Sequence, residues 1–346
     1  MEIIKARFGS GEAAMSKGFQ TFRNLTNTVL LGNPISAMTQ IGDLAFSMHK
    51  YGYLNAAKAL FGEKLVKKET LGLLNIAEDL VANPSRTART LDRALKWSGF
   101  DRIDRLGKET YLNAALKFYK KQVLSGKPKD MEKFKKKWGG YFDEKELEDV
   151  TRQLQNLTNA DVKANRIPDK VREILWHEIA DVQPIAKSEM PLLFNKDPKL
   201  RVLYMLRSFT IKQLDYMRRM VTEAPNKTTA ATRLAHFSML FIAANTSIDV
   251  LKDVIRGKEF SPEDHAVDNL LSLVGGNKYM LESASKEGPA RALIDYIAPP
   301  GALLDIGYRA YKKGEPEGLL DYIPSTKYAP IGGKLVKDMY KNYIED

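Results

Sequence analysis

The sequence predicts an all-α protein, an elongated multi-helix bundle that ends in an irregular Gly-, Pro- and Tyr-rich segment. Three observations carry this. Apolar residues recur at steps of three and four along nearly all of the 346 residues. Helix-capping signatures punctuate the repeats. No alternating apolar–polar run is longer than five residues, and Asn-Gly and Asp-Gly hairpin turns are missing.

The elements follow in order. Behind Asn33-Pro34, with Pro34 at a first helical position, Ile35, Met38, Ile41, Leu44 and Met48 form one apolar stripe. Leu71, Leu74, Ala77, Leu80 and Val81 form a second, which Asn83-Pro84 breaks, and Ala88, Leu91 and Leu95 mark a third. Ile103, Leu106, Thr110, Ala114 and Phe118 mark a fourth helix. Asp143 with Glu146 three residues on is a capping box, opening a helix to about Leu157. Pro168 or Asp169 opens another through Ile179. Asp197-Pro198 starts the longest stripe, Val202, Leu203, Leu206, Phe209, Leu214, Met217, Met220 and Val221. A further long helix is expected over residues 226–255, and Ser261-Pro262-Glu263-Asp264 is a strong N-terminal signature for the next.

Two soft boundaries interrupt this series. Residues 125–140 (SGKPKDMEKFKKKWGG) read as a Lys-rich connector, and residues 183–198 carry three prolines. The expected organisation is a helical region over 1–125, the connector with middle helices over 126–198, a long-helix core over 199–296, and the irregular segment 297–346. No repeat of fixed period suggests a solenoid.

Composition narrows the chemistry. Cysteine is absent, which excludes disulfides, cysteine-based metal sites and thiol nucleophiles. The four histidines, His49, His177, His236 and His265, are widely separated, so no local metal pair forms, and no metal or cofactor is expected. Phosphate-binding and nucleophile-elbow glycine motifs are missing as well. The nearest acid–base candidates are Trp176-His177-Glu178 with Asp181, which puts His177 and Asp181 four apart, a spacing better read as a surface pair or a capped helix end. Glu144, Glu146, Glu148 and Asp149 suit a solvated helix face. The reading that results is non-enzymatic.

Lys and Arg exceed Asp and Glu by 54 to 43, a formal charge of +11, which favours polyanionic partners. The surplus is densest at Lys117, Lys120, Lys121, Lys127, Lys129, Lys133, Lys135, Lys136 and Lys137, interleaved with Tyr119, Phe134 and Trp138. These nine lysines are most simply the solvated face of a helix pair, and otherwise candidates to meet DNA phosphates or lipid headgroups without reading base sequence. Arg201, Arg207, Lys212, Arg218 and Arg219 flank the longest stripe and are better read as the polar back of a core helix. Two weakly charged windows, 24–42 and 234–248, are too polar or too short for convincing membrane spans. Within them Leu30, Leu31, Ile35, Met38, Ile41, Leu240, Phe241 and Ile242 are candidates for a membrane-contacting or packing surface. Met205, Met217, Met220 and Met239 lie on the two longest helices, where core filling is the default reading and a flexible surface that later repacks the alternative.

Residues 25–48, LTNTVLLGNPISAMTQIGDLAFSM, resemble a stretch in the C-terminal regions of very large tailed-phage virion proteins, among them internal ejected core proteins and virion polymerase polyproteins. Tyr322-Ile323-Pro324 and Pro330-Ile331-Gly332-Gly333-Lys334 with Tyr340 are similar to the ending of that group, and RSFTIKQLDYMRR at 207–219 resembles one of its helices. The resemblance implies an internal virion or DNA-ejection protein, carried in the capsid or tail and then delivered to the host envelope. It implies a homo-oligomer meeting other ejection proteins, the portal and tail, genomic DNA and the host membrane, with no active site to carry over. Local helical hydrogen bonding suits a chain that must thread a narrow tail and refold. The rival expectation is a helical module of a virion polyprotein that binds nucleic acid non-specifically.

Overall fold

The computed structural model describes residues 44–71, 99–183, 198–255 and 261–273, with single positions 96, 259, 276, 285 and 286. The helices expected before residue 44 and over 74–95, the irregular segment from 297, and most of the phage-like motifs lie outside the described residues. Among the described residues the structure is α-helical, with no strand.

Helices α1 (Leu44–Tyr51) and α2 (Tyr53–Phe61) are divided by Gly52 alone. Its φ of 85° lies in the left-handed region, so the chain bends there and α2 starts in a new direction. A 3-10 turn (Lys68–Leu71) follows. Helix α3 (Phe100–Leu124) is longer at both ends than its apolar stripe predicts. Every residue from Lys108 to Leu116 is buried, because α1, α2, α4, α5 and α7 surround it. Asn113 inside it is fully satisfied. Its amide donates to the carbonyls of Val66 (2.8 Å) and Glu109 (2.7 Å), and its oxygen accepts from the N–H groups of Leu65 and Val66 at 3.0 Å each. One polar side chain thereby fixes the segment after α2 to the central helix.

The residues read as a Lys-rich connector form helix α4 (Pro128–Trp138), with Pro128 at the start and Phe134 and Trp138 buried one turn apart. Those two side chains dock on Tyr119 of α3, at ring-centroid distances of 5.9 and 5.7 Å. Helix α5 (Glu144–Asn156) opens on the expected box: Glu146 N–H donates to Asp143 (2.8 Å), and Asp143 N–H to Glu146 (3.2 Å). A second box, Thr158 with Asp161, opens the short α6 (Asn159–Lys163), which the apolar pattern alone does not reveal. Helix α7 (Asp169–Ala180) begins after Pro168 as expected.

Helix α8 (Pro198–Thr222) carries the longest stripe. Helix α9 (Lys227–Ile255, 29 residues) is capped by Asn226, which accepts from Thr229 N–H at 2.8 Å. Helix α10 (Pro262–Leu273) is capped by Ser261. α10 folds back on α9, and α9 also packs on α1 and α8. Phe46 of α1, Tyr216 of α8 and Phe237 of α9 meet edge-on at 5.1–5.3 Å and close that junction. A single hydrophobic cluster runs from Ala45 to Leu273 and includes Phe134, Trp138 and Phe237.

Candidate functional site

The charged centre of the fold is Glu178 on α7. It lies on the buried stripe of that helix, with Val171, Ile174 and Leu175, and has no solvent exposure. Four donors from three other helices converge on its two oxygens. Lys50 Nζ lies 2.7 Å from Oε2, and the Tyr51 hydroxyl donates to the same oxygen. The Tyr119 hydroxyl donates to Oε1 at 2.6 Å, and Lys137 Nζ pairs with it from α4. One turn on, Asp181 pairs with Lys50 (3.2 Å) and with Arg219 of α8 (2.8 Å), and Arg219 also lies 3.2 Å from Asp215. Three cations thus face three carboxylates. Each Glu178 oxygen already accepts two donors, so no lone pair is free for a substrate.

The electrostatics follow from this pairing. Burial opposes ionisation of Glu178, but the ammonium groups of Lys50 and Lys137 outweigh it and hold the carboxyl well below its usual range. Burial also opposes ionisation of Asp181, and Lys50 and Arg219 again win. Lys50 titrates well above its ordinary value despite burial, because Glu178 faces it. Burial and the Glu178 charge push the hydroxyls of Tyr51 and Tyr119 far up, which keeps them donors. Burial raises Tyr216 to about 12.

His177 and Asp181 are not brought together. Asp181 turns toward Lys50 and Arg219, while the His177 ring lies 4.6 Å from that of Tyr141 and its Nε2 lies 3.9 Å from Glu173. The acidic run caps α5 and pairs with Lys170 through Glu146 and Asp149. Lys212 and Arg219 tie α8 to the end of α7, through the Ala180 carbonyl and Asp181, while Arg218 makes an exposed pair with Asp215 on its own helix.

The nine-lysine set divides. Lys117 donates to the Lys58 carbonyl (3.0 Å), Lys120 to the Leu157 carbonyl, and Lys137 is committed to Glu178. These three hold helices together. Lys121, Lys127, Lys129, Lys133, Lys135 and Lys136 are exposed, and all but Lys121 lie on α4 or at its N-cap.

The apolar set also divides. Leu30, Leu31, Ile35, Met38 and Ile41 lie outside the described residues. Phe241 is in the core, and Leu240 and Ile242 pack against it, so all three serve packing. The exposed strip of α9 lies elsewhere, at Ala235, Met239, Ala243, Ser247 and Leu251, steps of four without a charge. As the expected span of 226–255 requires, the helix continues past the uncharged window through Asp249, Lys252 and Asp253. Over Lys227–Val254 it is long and apolar enough to cross a bilayer, and only 17% of its apolar window is buried. At 28 residues it spans about 42 Å, against a hydrocarbon core of about 30 Å.

The sequence points to Glu178 only as a neighbour of His177 and Asp181, and not to its burial or to Lys50 as its partner. The available signal was a carboxylate on an apolar stripe, three residues after Leu175 and four after Ile174, a position where an acid is tolerated only if paired. The chain matches no protein-family model, no curated protein and no solved structure.

Proposed function

We propose that this protein is an internal virion or DNA-ejection protein of a tailed phage, a non-enzymatic helical element that assembles with copies of itself at the host envelope. The observation that carries the reading is α9, membrane-length and largely unburied, on a body that also presents an exposed lysine face. Apolar helix surface binds bilayers by burial, and lysines add attraction to anionic headgroups. The phage-like motifs at 25–48 and 322–340 support the same class. A conduit further requires head-to-tail contacts that close into a ring.

The test is flotation of the purified full chain with phosphatidylethanolamine–phosphatidylglycerol vesicles, followed by negative-stain imaging. The expected result is co-flotation that persists at high salt, with ring-shaped oligomers on the vesicles. Monomers that remain at the bottom of the gradient overturn it. The six exposed lysines favour a second reading, non-specific nucleic-acid binding by a polyprotein module. Duplex binding that collapses between low and moderate salt, without flotation, selects that one.

A further inference from the structure

The α9–α10 hairpin bonds polar groups to each other across its seam and leaves several large apolar side chains outside, with Glu263 and Asp264 exposed only at the start of α10. At the seam, Asn269 of α10 donates to Asp249 (3.0 Å) and to Thr246 (3.3 Å) of α9. Asp249 pairs in turn with Lys252 (2.7 Å), and Asp253 lies 2.7 Å from His265 Nε2. Asn269 and Lys252 are both buried. Away from the seam the pattern reverses: Met239, Leu251 and Val254 of α9 and Val267 and Leu270 of α10 are each 48–64% exposed. A helix pair stabilised by water exclusion puts these classes the other way round. Polar groups bonded to each other across a helix seam, with apolar groups outside, is the arrangement a hydrocarbon solvent selects, because unpaired polar groups are costly there and outward apolar ones are not.

We infer that the outward face of the α9–α10 hairpin is a lipid-contacting surface, with the bilayer as its occupant. This rests on the membrane reading above and specifies which surface carries it. Three facts favour lipid over a protein partner: the inverted polarity, the membrane length of α9, and the absence of charge from its exposed strip between Ala235 and Leu251. Of the charges of α9 beyond Ile248, Asp249 pairs with Lys252 and Asp253 is hydrogen-bonded to His265, so each has a partner inside the hairpin.

The cysteine-free sequence makes the test direct. Single variants Met239→Cys, Leu251→Cys and Leu270→Cys, with Glu148→Cys on α5 as control, are labelled with an environment-sensitive fluorophore. Each is mixed with phosphatidylethanolamine–phosphatidylglycerol vesicles, with and without lipids brominated along the acyl chain. Circular dichroism first establishes that each variant is folded, and Val254→Cys and Val267→Cys replace any that is not. The expected result is blue-shifted, several-fold brighter emission at the hairpin positions, quenched by brominated lipid, with no change at Glu148→Cys. Flotation with no hairpin response overturns the lipid face and leaves the membrane reading standing. Failure to float overturns both. A blue shift that grows with protein concentration in the absence of vesicles assigns the face to a second copy of the chain and overturns the inference.

Discussion

Lys50 Nζ of α1 lies 2.7 Å from Oε2 of Glu178 on α7, a carboxylate with no exposure to solvent. This contact joins two helices more than a hundred residues apart in sequence and sets the energetics of the centre. Glu178→Gln keeps the shape but leaves Lys50 inside with Asp181 as its remaining counter-charge. The expected loss is about 3–5 kcal/mol, the cost of breaking a buried pair on one side. Replacing both partners, Lys50→Met with Glu178→Leu, costs less than the sum of the single changes, since neither member of this pair is then left facing an apolar partner, although Lys137 still loses Glu178. Urea unfolding followed by circular dichroism measures both. A Glu178→Gln midpoint unchanged from the parent contradicts the ion-pair assignment.

The same centre dictates acid sensitivity. Glu178 and Asp181 titrate below their ordinary values of 4.5 and 3.8 in the folded chain, so on acidification the unfolded chain takes up protons first. Their contribution is therefore complete above the unfolded values and is lost as pH falls below about 4.5 toward the folded ones. The urea midpoint of the parent should drop steeply below pH 4.5. Glu178→Gln, already destabilised, should show a shallower slope there. Equal slopes would falsify the assignment.

Helix boundaries were legible wherever a local signal set them. Asp143 with Glu146, Asn226 and Ser261 each cap the helix their spacing predicts, because a cap needs only three or four consecutive residues. Segment 125–140 reads both as a soft boundary and as part of a solvated helix pair; the helix is present, but its lysines mask the two-residue apolar face, Phe134 and Trp138, that docks α4. The centre was illegible for another reason. A buried acid on the stripe of α7 announces that partners exist, but Tyr51, 127 residues away, and Lys137 are selected by tertiary packing that no local period encodes. The exposed lysines are legible as a group and not individually, since helix orientation decides which ammonium meets a carbonyl and which meets water.

Neighbouring lysines should therefore behave differently. Lys136 is exposed on α4, whereas Lys137 reaches Glu178 and lies over the Tyr119 and Trp138 rings, 5.6 and 5.3 Å from their centroids. Lys136→Ala is expected to change stability by no more than about 0.5 kcal/mol, the usual range for a free surface site. Lys137→Ala should be clearly destabilising, through loss of the pair and of the ammonium contact with the two rings. For polyanion binding the order reverses: combined loss of Lys129, Lys133 and Lys136 weakens binding to duplex DNA or anionic vesicles and flattens its salt dependence, while Lys137→Met leaves that slope unchanged. Thermal melts paired with salt titrations separate the two roles. Equal effects of the neighbours on stability would remove the distinction.

The junction between α1 and α9 carries a second pH response at higher pH. His49 Nδ1 lies 2.8 Å from the Tyr216 hydroxyl, and its ring lies 5.3 Å from that of His236, which in turn meets the Tyr53 hydroxyl. Burial, followed by the charge of His236, lowers His49 from 6.5 to about 4, with Arg233 and Lys50 adding to the positive surroundings. The folded chain keeps this ring neutral while the unfolded chain protonates near 6.5. Stability from His49 is thus full above that value and declines as pH falls toward 4, a window above that of the carboxylates. The ring is partly exposed, so solvent screening moderates the size of the effect. His49→Gln retains a polar partner for Tyr216 and should flatten the stability profile between pH 6.5 and about 4.5, leaving the steeper acid limb in place. Because Phe46, Tyr216 and Phe237 pack beside this pair, protonation should loosen α9 at its N-terminal half first. Hydrogen exchange of residues 230–241, corrected for intrinsic rates, is expected to be faster at pH 5 than at pH 7.5 in the parent and equal at both in His49→Gln. Identical protection of the parent at both values would mean that the histidine pair does not govern the docking of α9.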